Sequence, residues 1–414
     1  STGGPKGMVH STGGWMTGVH ESARLVFDMK PDDVFFCTAD IGWVTGHSYT
    51  VLAPLLHGAT TVMYEGLPTS PSKDRLWDVV ERHGVTILYT APTAINDLAA
   101  QGDEWPGKHP MPKLRLLGTV GEPISESAWK WYYNNVGKGR CPIVDTWWQT
   151  ETGAILISSV PGATAAKPTM AGRPLPGVIA AIRKPLYEDV DDGVVVRPGE
   201  LVGDSQKGLL VIEQPWPHRA LTMWGGKPGD DRFVRTYYPG GPNGPYVPMD
   251  MAFRDGDGDY RILGRADDVI IRSGENIGTG ELESALRQFA KLAKVIVVPR
   301  PDPRTGQAIV AFVVPHDQFR PADAAAEATL KAEIRKFIKD NHAAHWQPDD
   351  VHYVPTLLTT LSGKHLRRLY RLLAYGDVEG LRKANRATLL QPEEFDRLLR
   401  AFGLYDQGVG QVPA

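Results

Sequence analysis

Apolar positions in the first half of the chain follow two alternating patterns. Over residues 76–83 they recur at helical spacing, Gly84 favours the end of that helix, and residues 85–90 form an apolar run typical of a buried strand. A second apolar run, 114–121, precedes another helical stretch. Strands that alternate with helices predict a mostly parallel α/β sheet, and such sheets bind ligands at the carboxyl ends of their strands.

The pattern changes twice further along the chain. Residues 162–249 are rich in Gly and Pro and contain an apolar strand at 208–213, which predicts a small β unit. After residue 264, helical and strand patterns restart and predict a compact α+β unit. We therefore expect an α/β domain over 1–264, a smaller α+β domain over 265–375 and a helical tail over 376–414.

A hairpin is predicted around the acidic turn 255–259. This turn superficially resembles a calcium loop. It lacks the closing glutamate and the flanking helices of such a loop, so an exposed turn is the better interpretation.

Composition narrows the class of protein. The 414 residues carry a net charge of -3, which gives no reason to expect nucleic-acid binding. No apolar run approaches the roughly 20 residues that a membrane helix needs, so no membrane partner is expected. The two cysteines, Cys37 and Cys141, fit a reduced cytoplasm and exclude a disulfide framework. The sequence leaves the oligomeric state open.

The chain begins with a Gly-rich loop, residues 1–7. Its small residues would let backbone N–H groups approach a phosphate, the hydroxyl of Thr2 could donate, and Lys6 adds a positive charge. A flexible Gly-rich terminus explains the same residues equally well. Because phosphate loops normally follow a strand, we expect this chain to be the back part of a longer protein.

The segment 145–153 combines polar and aromatic residues in an unusual run. If the backbone is extended, Trp147 and Trp148 point to opposite sides, so that one could stack on a base and the other could wall a pocket. Glu151 supplies a hard oxygen ligand suited to Mg²⁺ on a triphosphate.

Other polar positions have two interpretations each. The turn 121–123 could frame a purine or simply connect a strand to a helix. Asp250 could accept hydrogen bonds from a ribose diol or cap a turn. Arg265 and Asp267 could form an interdomain ion pair or contact a ligand, and Lys364 could be catalytic or part of a solvated basic helix.

Several long segments in this order resemble the acyl-adenylate-forming superfamily, and within it the AMP-forming acetyl-CoA synthetases and their propionyl relatives. The most specific matches are segments 37–49, 89–95, 120–124 and 144–153, and the resemblance covers most of residues 1–375. It implies a large, partial adenylation domain followed by a mobile C-terminal domain.

The resemblance also implies an activity. The expected enzyme activates a short-chain carboxylate, acetate first, with ATP and Mg²⁺, and transfers the acyl group from an acyl-adenylate to coenzyme A. AMP and pyrophosphate are released. A propionyl- or 3-hydroxypropionyl-CoA synthetase is the alternative, as is a truncated or fused nucleotide-binding segment without full activity.

The resemblance assigns roles residue by residue. ATP or AMP contacts fall on Thr2, Gly3, Lys6, Gly121, Glu122, Pro123, Asp145, Thr146, Trp147, Gln149, Thr150, Asp250 and Arg265. The acyl pocket falls on Val44, Thr45, Val120 and Trp148. The metal ligand is Glu151, the hinge Asp267, the coenzyme A contact Ser273 and the catalytic lysine Lys364. One departure is that Glu275 and Asn276 stand where these relatives usually have His and Arg.

Overall fold

The computed structural model describes residues 7–190, 193–225, 232–273, 275–359, 365–384, 389 and 392–405. Two compact units divide the chain, Lys6–Ala266 and Asp267–Ala414.

The first unit contains all the strands of the predicted α/β and β regions. In chain order its strands are β1 Met8–Val9, β2 Val34–Cys37, β3 Thr60–Val62, β4 Ile87–Thr90, β5 Leu116–Val120, β6 Ile143–Trp147, β7 Ile157–Ser158, β8 Arg173–Pro174, β9 Ala180–Val190, β10 Gly193–Leu201, β11 Gly208–Ile212, β12 Thr222–Met223, β13 Asp250–Arg254 and β14 Tyr260–Arg265. Its helices are α1 Thr12–Val26, α2 Ala53–Leu56, α3 Arg75–Arg82, α4 Pro92–Ala99, α5 Glu104–Gly107, α6 Glu126–Trp131 and α7 Arg232–Tyr237, with π-helical segments at Gly46–Leu52 and Tyr132–Val136.

A seven-stranded sheet in the order β3-β2-β4-β5-β6-β7-β8 organises this unit. Neighbours from β3 to β6 are parallel, and β7 and β8 add antiparallel strands at one side. Successive residues alternate between two apolar clusters: Phe35 and Tyr89 belong to one, Phe36 and Leu88 to the other. Because both faces are buried, the strands are continuous apolar runs in the sequence.

The predicted helix and strand between residues 76 and 90 are confirmed as α3 and β4. Gly84 between them has φ +61°, a backbone conformation that glycine adopts without steric cost. Pro92 opens α4, where its missing N–H removes no intrahelical bond.

The predicted small β unit is a five-stranded antiparallel sheet in the order β10-β9-β11-β13-β14. Strands β13 and β14 form the predicted hairpin, with the acidic turn between them. The ammonium of Lys167 lies 2.7 Å from a carboxylate oxygen of each of Asp255, Asp257 and Asp259. A lysine therefore supplies the positive charge among these carboxylates.

The second unit is a mixed α+β unit. Its strands are β15 Val269–Arg272, β16 Glu275–Gly278, β17 Leu292–Asp302, β18 Gly306–Pro315 and β19 Asp350–Tyr353. Its helices are α8 Thr279–Leu286, α9 Ala324–Asn341, α10 Arg367–Tyr375, α11 Val378–Arg382 and α12 Pro392–Ala401, with 3₁₀ turns at Ala266–Asp268, Asp317–Phe319 and Ala344–Trp346.

Helices cover both faces of the second unit's sheet. Strands β16, β15, β18 and β17 follow one another in the sheet, and β19 pairs in parallel with β18. Alternate residues of β17 and β18 pack either with α8 and α9 or with α10, α11 and α12. The helices within the predicted tail 376–414 thus contribute to the core of this unit.

No helix among the described residues is both long enough and apolar enough to span a bilayer.

Candidate functional site

The candidate site of the first unit lies where parallel strands β4, β5 and β6 end. Their carboxyl ends, Thr90, Val120 and Trp147, lie at the same edge of the sheet. Gly121 follows β5 with φ +98°, so the chain turns sharply there. The predicted turn 121–123 and segment 145–153 therefore meet at the edge where α/β sheets bind ligands.

Asp145 is a carboxyl buried inside this edge. It is 7 % exposed, and one of its oxygens accepts a hydrogen bond of 2.7 Å from the hydroxyl of Thr119 on the neighbouring strand. Burial raises the pKa of Asp145 to about 7, although the Thr119 hydroxyl favours the charged form. At neutral pH this group is therefore poised between acceptor and donor.

Thr146 and Trp148 form hydrogen bonds that connect the end of β6 to an aromatic cluster. The hydroxyl of Thr146 donates to the carbonyl of Thr119 and lies 2.6 Å from the hydroxyl of Tyr89. The indole of Trp148 donates to the same tyrosine hydroxyl at 3.3 Å and meets Tyr49 edge-on, with ring centroids 5.1 Å apart.

Three of the four residues predicted for an acyl pocket share this apolar environment. Val120 and Trp148 belong to the cluster on one face of the sheet, and Val44 packs against it. Thr45 is buried at the start of the segment Gly46–Leu52. The wall near Trp148 is thus built mostly from aromatic rings and small apolar side chains.

Asp250 connects the five-stranded sheet to the seven-stranded sheet of the first unit. Its Oδ2 accepts bonds of 2.9 Å from the indole of Trp147 and from the amide of Gln149. Its Oδ1 lies 3.7 Å from the guanidinium of Arg265, which also donates to the carbonyl of Pro248. The residues predicted to hold base and ribose are therefore linked, by hydrogen bonds from Trp147 to Asp250 and by an ion pair from Asp250 to Arg265.

Glu122 has a partner that the sequence did not indicate. Its carboxylate accepts from the backbone N–H of Thr93 at 2.7 Å and from the Thr93 hydroxyl. Thr93 lies in the first turn of α4, where a negative charge is stabilised by the unpaired N–H groups. Glu122 thus fastens the turn after β5 to the start of α4.

Glu151 is a half-buried carboxylate that could hold a metal ion. One carboxylate oxygen accepts from the hydroxyl of Tyr237, and burial followed by the Glu151 charge raises the pKa of that tyrosine, which keeps it a donor. Mg²⁺ is commonly held by one or two carboxylates together with substrate phosphates. The donor set fits that arrangement.

Several residues of the site were missed by sequence reasoning. Thr119, Tyr89 and Tyr237 act through single hydroxyl groups, and Tyr246 donates to the side-chain oxygen of Gln149 at 2.8 Å. Tyr89 lies in segment 89–95, but neither that segment nor the sequence around the other three assigns a role to these hydroxyl groups. Their roles depend on which strands become neighbours.

Thr2, Gly3, Lys6 and Lys364 lie outside the described residues. Of Asp267 only the backbone is described, within the turn Ala266–Asp268. Ser273 is described: it has φ +51° and its N–H donates to the carbonyl of Thr305 at 2.8 Å.

In the second unit, an ion-pair network surrounds the start of α10, three residues after Lys364 in the chain. Arg367 binds Glu283 and lies 3.3 Å from the carboxylate of Asp268, which also receives Arg371. Burial would raise the pKa of Glu283, but the Arg367 guanidinium holds it below its usual value.

Comparison with known proteins agrees with this geometry. The profile described as AMP-binding enzyme matches residues 1–209, and the one described as AMP-binding enzyme C-terminal domain matches residues 281–364. The chain belongs to the AMP-binding enzyme family.

Curated relatives of this AMP-binding enzyme include an acetyl-coenzyme A synthetase of Deinococcus radiodurans, 46% identical over 96% of this chain and 57% of its own length. One of Rubrobacter xylanophilus is 48% identical over 91% of this chain and 55% of its own length. The chain therefore spans little more than half the length of these relatives.

Among solved structures, the anthranilate CoA ligase AuaEII in complex with anthranoyl-AMP matches with a TM-score of 0.74. The match covers 92% of this chain and 67% of that one at 23% sequence identity. It confirms the predicted fold class, a large α/β domain followed by a smaller α+β domain.

Proposed function

We propose that this AMP-binding enzyme activates a short-chain carboxylate, acetate first, with ATP, and passes the acyl group to coenzyme A. One observation carries the proposal: Trp147, Gln149 and Asp250 are hydrogen-bonded together at the strand edge that also holds Glu151. Acetyl-coenzyme A synthetases of 46–48% identity support acetate as the acid.

In the proposed first step, the carboxylate attacks the α-phosphorus of ATP in line, and pyrophosphate leaves. A carboxylate is a poor nucleophile, so catalysis consists mainly of positioning and of neutralising charge. Asp145 and the turn 121–123 would face the base, Thr146, Trp147, Gln149 and Thr150 would line the nucleotide site, and Asp250 with Arg265 would bind the ribose.

Charge is neutralised at three places in this proposal. Glu151 would hold Mg²⁺, which supplies positive charge to the triphosphate when it is bound. Thr2, Gly3 and Lys6 would contact the pyrophosphate end. Lys364 would offset the charge that develops around the α-phosphate.

In the proposed second step, the thiol of coenzyme A attacks the acyl-adenylate carbonyl, and AMP leaves. Asp267 would be the hinge about which the second unit rotates between the two steps, and Ser273 would contact coenzyme A. The domains proposed are 1–264 for adenylation, 265–375 for the mobile unit and 376–414 for the tail.

The size of the acid is proposed to be set by Trp148. Its indole is fixed by Tyr89 and packs edge-on against Tyr49, so it cannot swing away without losing both contacts. Val44, Thr45 and Val120 would complete a pocket for acetate or propionate. The two buried cysteines are compatible with the cytoplasmic location that we propose.

Acid-dependent exchange of pyrophosphate into ATP tests the proposal, because it isolates adenylation and needs no coenzyme A. We expect exchange with acetate and, to a smaller extent, with propionate, and none with octanoate. A folded chain that exchanges with no acid would contradict the proposed adenylation activity of this polypeptide and favour a nucleotide-binding segment.

A further inference from the structure

The loop that carries Glu151 is held by its carbonyl groups. Each of the four carbonyl oxygens from Thr150 to Gly153 accepts a hydrogen bond from a donor outside the loop. We call these donors the carbonyl cage: His10 to Thr150 at 2.8 Å, the Ala220 N–H to Glu151 at 2.8 Å, His218 and Trp216 to Thr152 at 2.7 and 3.1 Å, and Trp15 and Ser48 to Gly153 at 3.1 and 3.2 Å.

Close packing fixes the loop further. Gly153 has φ +80°, and a Cβ at this position would lie 2.3 Å from the carbonyl oxygen of His218 and 3.1 Å from the ring of His10. Such contacts leave no room for displacement toward the cage. The backbone of Glu151 is therefore constrained on both sides of its side chain.

His10 is the cage donor that comes from the segment after the Gly-rich loop. It follows β1, four residues after Lys6, so it belongs to the segment that leads out of the Gly-rich loop. Its Nε2 reaches the carbonyl of Thr150, directly before Glu151 in the chain, and its Nδ1 lies 3.2 Å from the carbonyl oxygen of His218. The ring thus lies between the segments that contain Thr150 and His218.

The protonation of the His10 ring follows from its surroundings. Burial lowers the pKa of His10 and so favours the neutral imidazole, which donates through one nitrogen. The shorter contact, to Thr150, assigns the proton to Nε2, because a carbonyl oxygen can only accept.

We propose that His10 is a positioning residue for the divalent cation of the bound nucleotide. It acts through the Thr150 carbonyl and sets the place of the Glu151 carboxylate. This inference rests on the proposed function, because it takes Glu151 as the cation's ligand. Partners of this kind that orient a metal ligand typically change metal affinity by about 10–100-fold when they are removed.

The test is Mn²⁺ binding to this chain in the presence of an ATP analogue with a methylene group between its α- and β-phosphates, measured by electron paramagnetic resonance. Three variants are compared with the unmodified chain. His10→Phe keeps a ring without a donor, and His10→Gln places an amide N–H near the position of Nε2. The control His57→Phe removes another half-buried histidine whose Nε2 lies 3.1 Å from a backbone oxygen, that of His20.

We expect His10→Phe to weaken Mn²⁺ binding by about tenfold or more and His10→Gln to restore most of it. His57→Phe should bind Mn²⁺ like the unmodified chain. If His10→Phe does not fold, His10→Asn takes its place, since its shorter amide cannot reach Thr150 as the Gln amide does.

Equal Mn²⁺ affinity in His10→Phe and the unmodified chain would overturn the proposal, as would a loss that His10→Gln does not repair. The proposed function fails in a different way: the unmodified chain then binds the Mn²⁺ nucleotide but exchanges no pyrophosphate with any acid. Absence of Mn²⁺ binding in the unmodified chain would refute Glu151 as a ligand, and with it both proposals.

Discussion

At the scale of single residues, the site places a carboxyl group where its charge is costly. Asp145 has one hydroxyl partner, Thr119, and no described cation within ion-pair distance. Asp33 is also buried, but it pairs with Arg115 at 2.5 Å. Burial alone would raise the pKa of Asp33, yet its hydrogen bonds with Arg115 and Thr86 lower that pKa below its usual value. The charge of Asp33 is therefore balanced by a cation of the chain, whereas Asp145 has only a hydroxyl partner.

We predict that Asp145→Asn makes stability less dependent on pH. The pKa of Asp145 is raised to about 7 on folding, so its contribution is fully present below the unfolded pKa near 3.9 and is lost as the pH rises through 7. Relative to the unmodified chain, the variant should gain about 2–3 kcal/mol of unfolding free energy between pH 5 and pH 8. Urea unfolding of both chains at pH 5 and pH 8 measures their free energies of unfolding. If the two chains differ by the same amount at both pH values, the pKa of Asp145 is not raised on folding.

Trp148 provides a second prediction at this scale. Trp148→Gly should open space beside Tyr49 and Tyr89 and shift the preference in pyrophosphate exchange from acetate toward longer acids. The measurement is kcat/KM for acetate, propionate, butyrate and hexanoate. Trp131→Gly is the control, since Trp131 packs on the opposite face of the sheet, and its acid profile should stay unchanged. An unchanged profile in Trp148→Gly would exclude this indole as the wall of the pocket.

At the scale of elements, the sequence predicted the helices and strands whose apolar residues follow one regular pattern. β4 and β5 are buried on both faces and are apolar without interruption, so they were found. Helix α1 was not predicted. Its Gly13, Gly14 and Gly18 weaken the helical pattern, and the reason for two of them lies outside the helix: a Cβ on Gly14 would lie 2.2 Å from the carbonyl oxygen of Pro217 and one on Gly18 2.2 Å from the ring of His218.

Two glycines of α1 should therefore respond oppositely to the same change. An alanine inside a helix is normally about 1 kcal/mol better than glycine. Gly18→Ala should nevertheless destabilise the chain by about 1–3 kcal/mol, because the buried ring of His218 must move. Gly13→Ala is the matched control: nothing lies within 4 Å of its Cβ, and it should leave stability unchanged or raise it. Equal effects in denaturant unfolding would show that α1 does not pack against His218.

The site was predictable to the extent that it is local in sequence. Segment 145–153 and the turn after β5 can be recognised from their local composition, and the parallel sheet brings them to one edge. The partners that hold them cannot be recognised in this way: His10, Thr119 and Tyr237 come from three separate parts of the chain. No periodicity connects such positions, because their meeting depends on strand order and sheet packing.

At the scale of the whole molecule, the two units carry different parts of the proposed chemistry. The first contains the strand-edge site. The second contains the network in which Asp268, beside the proposed hinge, is bound by Arg367 and Arg371 of α10, the helix that begins three residues after Lys364. The chain's entry into the second unit is thus tied to the helix after the proposed catalytic lysine.

Opposite defects should follow from changes at Lys364 and Asp267. Lys364→Ala should abolish acetate-dependent pyrophosphate exchange, because the charge at the α-phosphate is no longer offset, yet it should retain thioester formation from supplied acetyl-adenylate. Asp267→Pro should retain exchange and lose thioester formation, because proline fixes φ near −65° at the proposed hinge.

Both half-reactions are measured on the same preparations, in a form of the enzyme that forms thioester before mutation. Asp267→Ala serves as the control for the hinge: it removes the side chain but leaves the backbone free, so thioester formation should persist. Equal loss of both half-reactions in Lys364→Ala would assign this lysine to binding or structure. A greater loss of exchange than of thioester formation in Asp267→Pro would place the rotation elsewhere in the chain. The ion pairs from Asp268 to α10 would then stabilise the second unit and take no part in the rotation between the two steps.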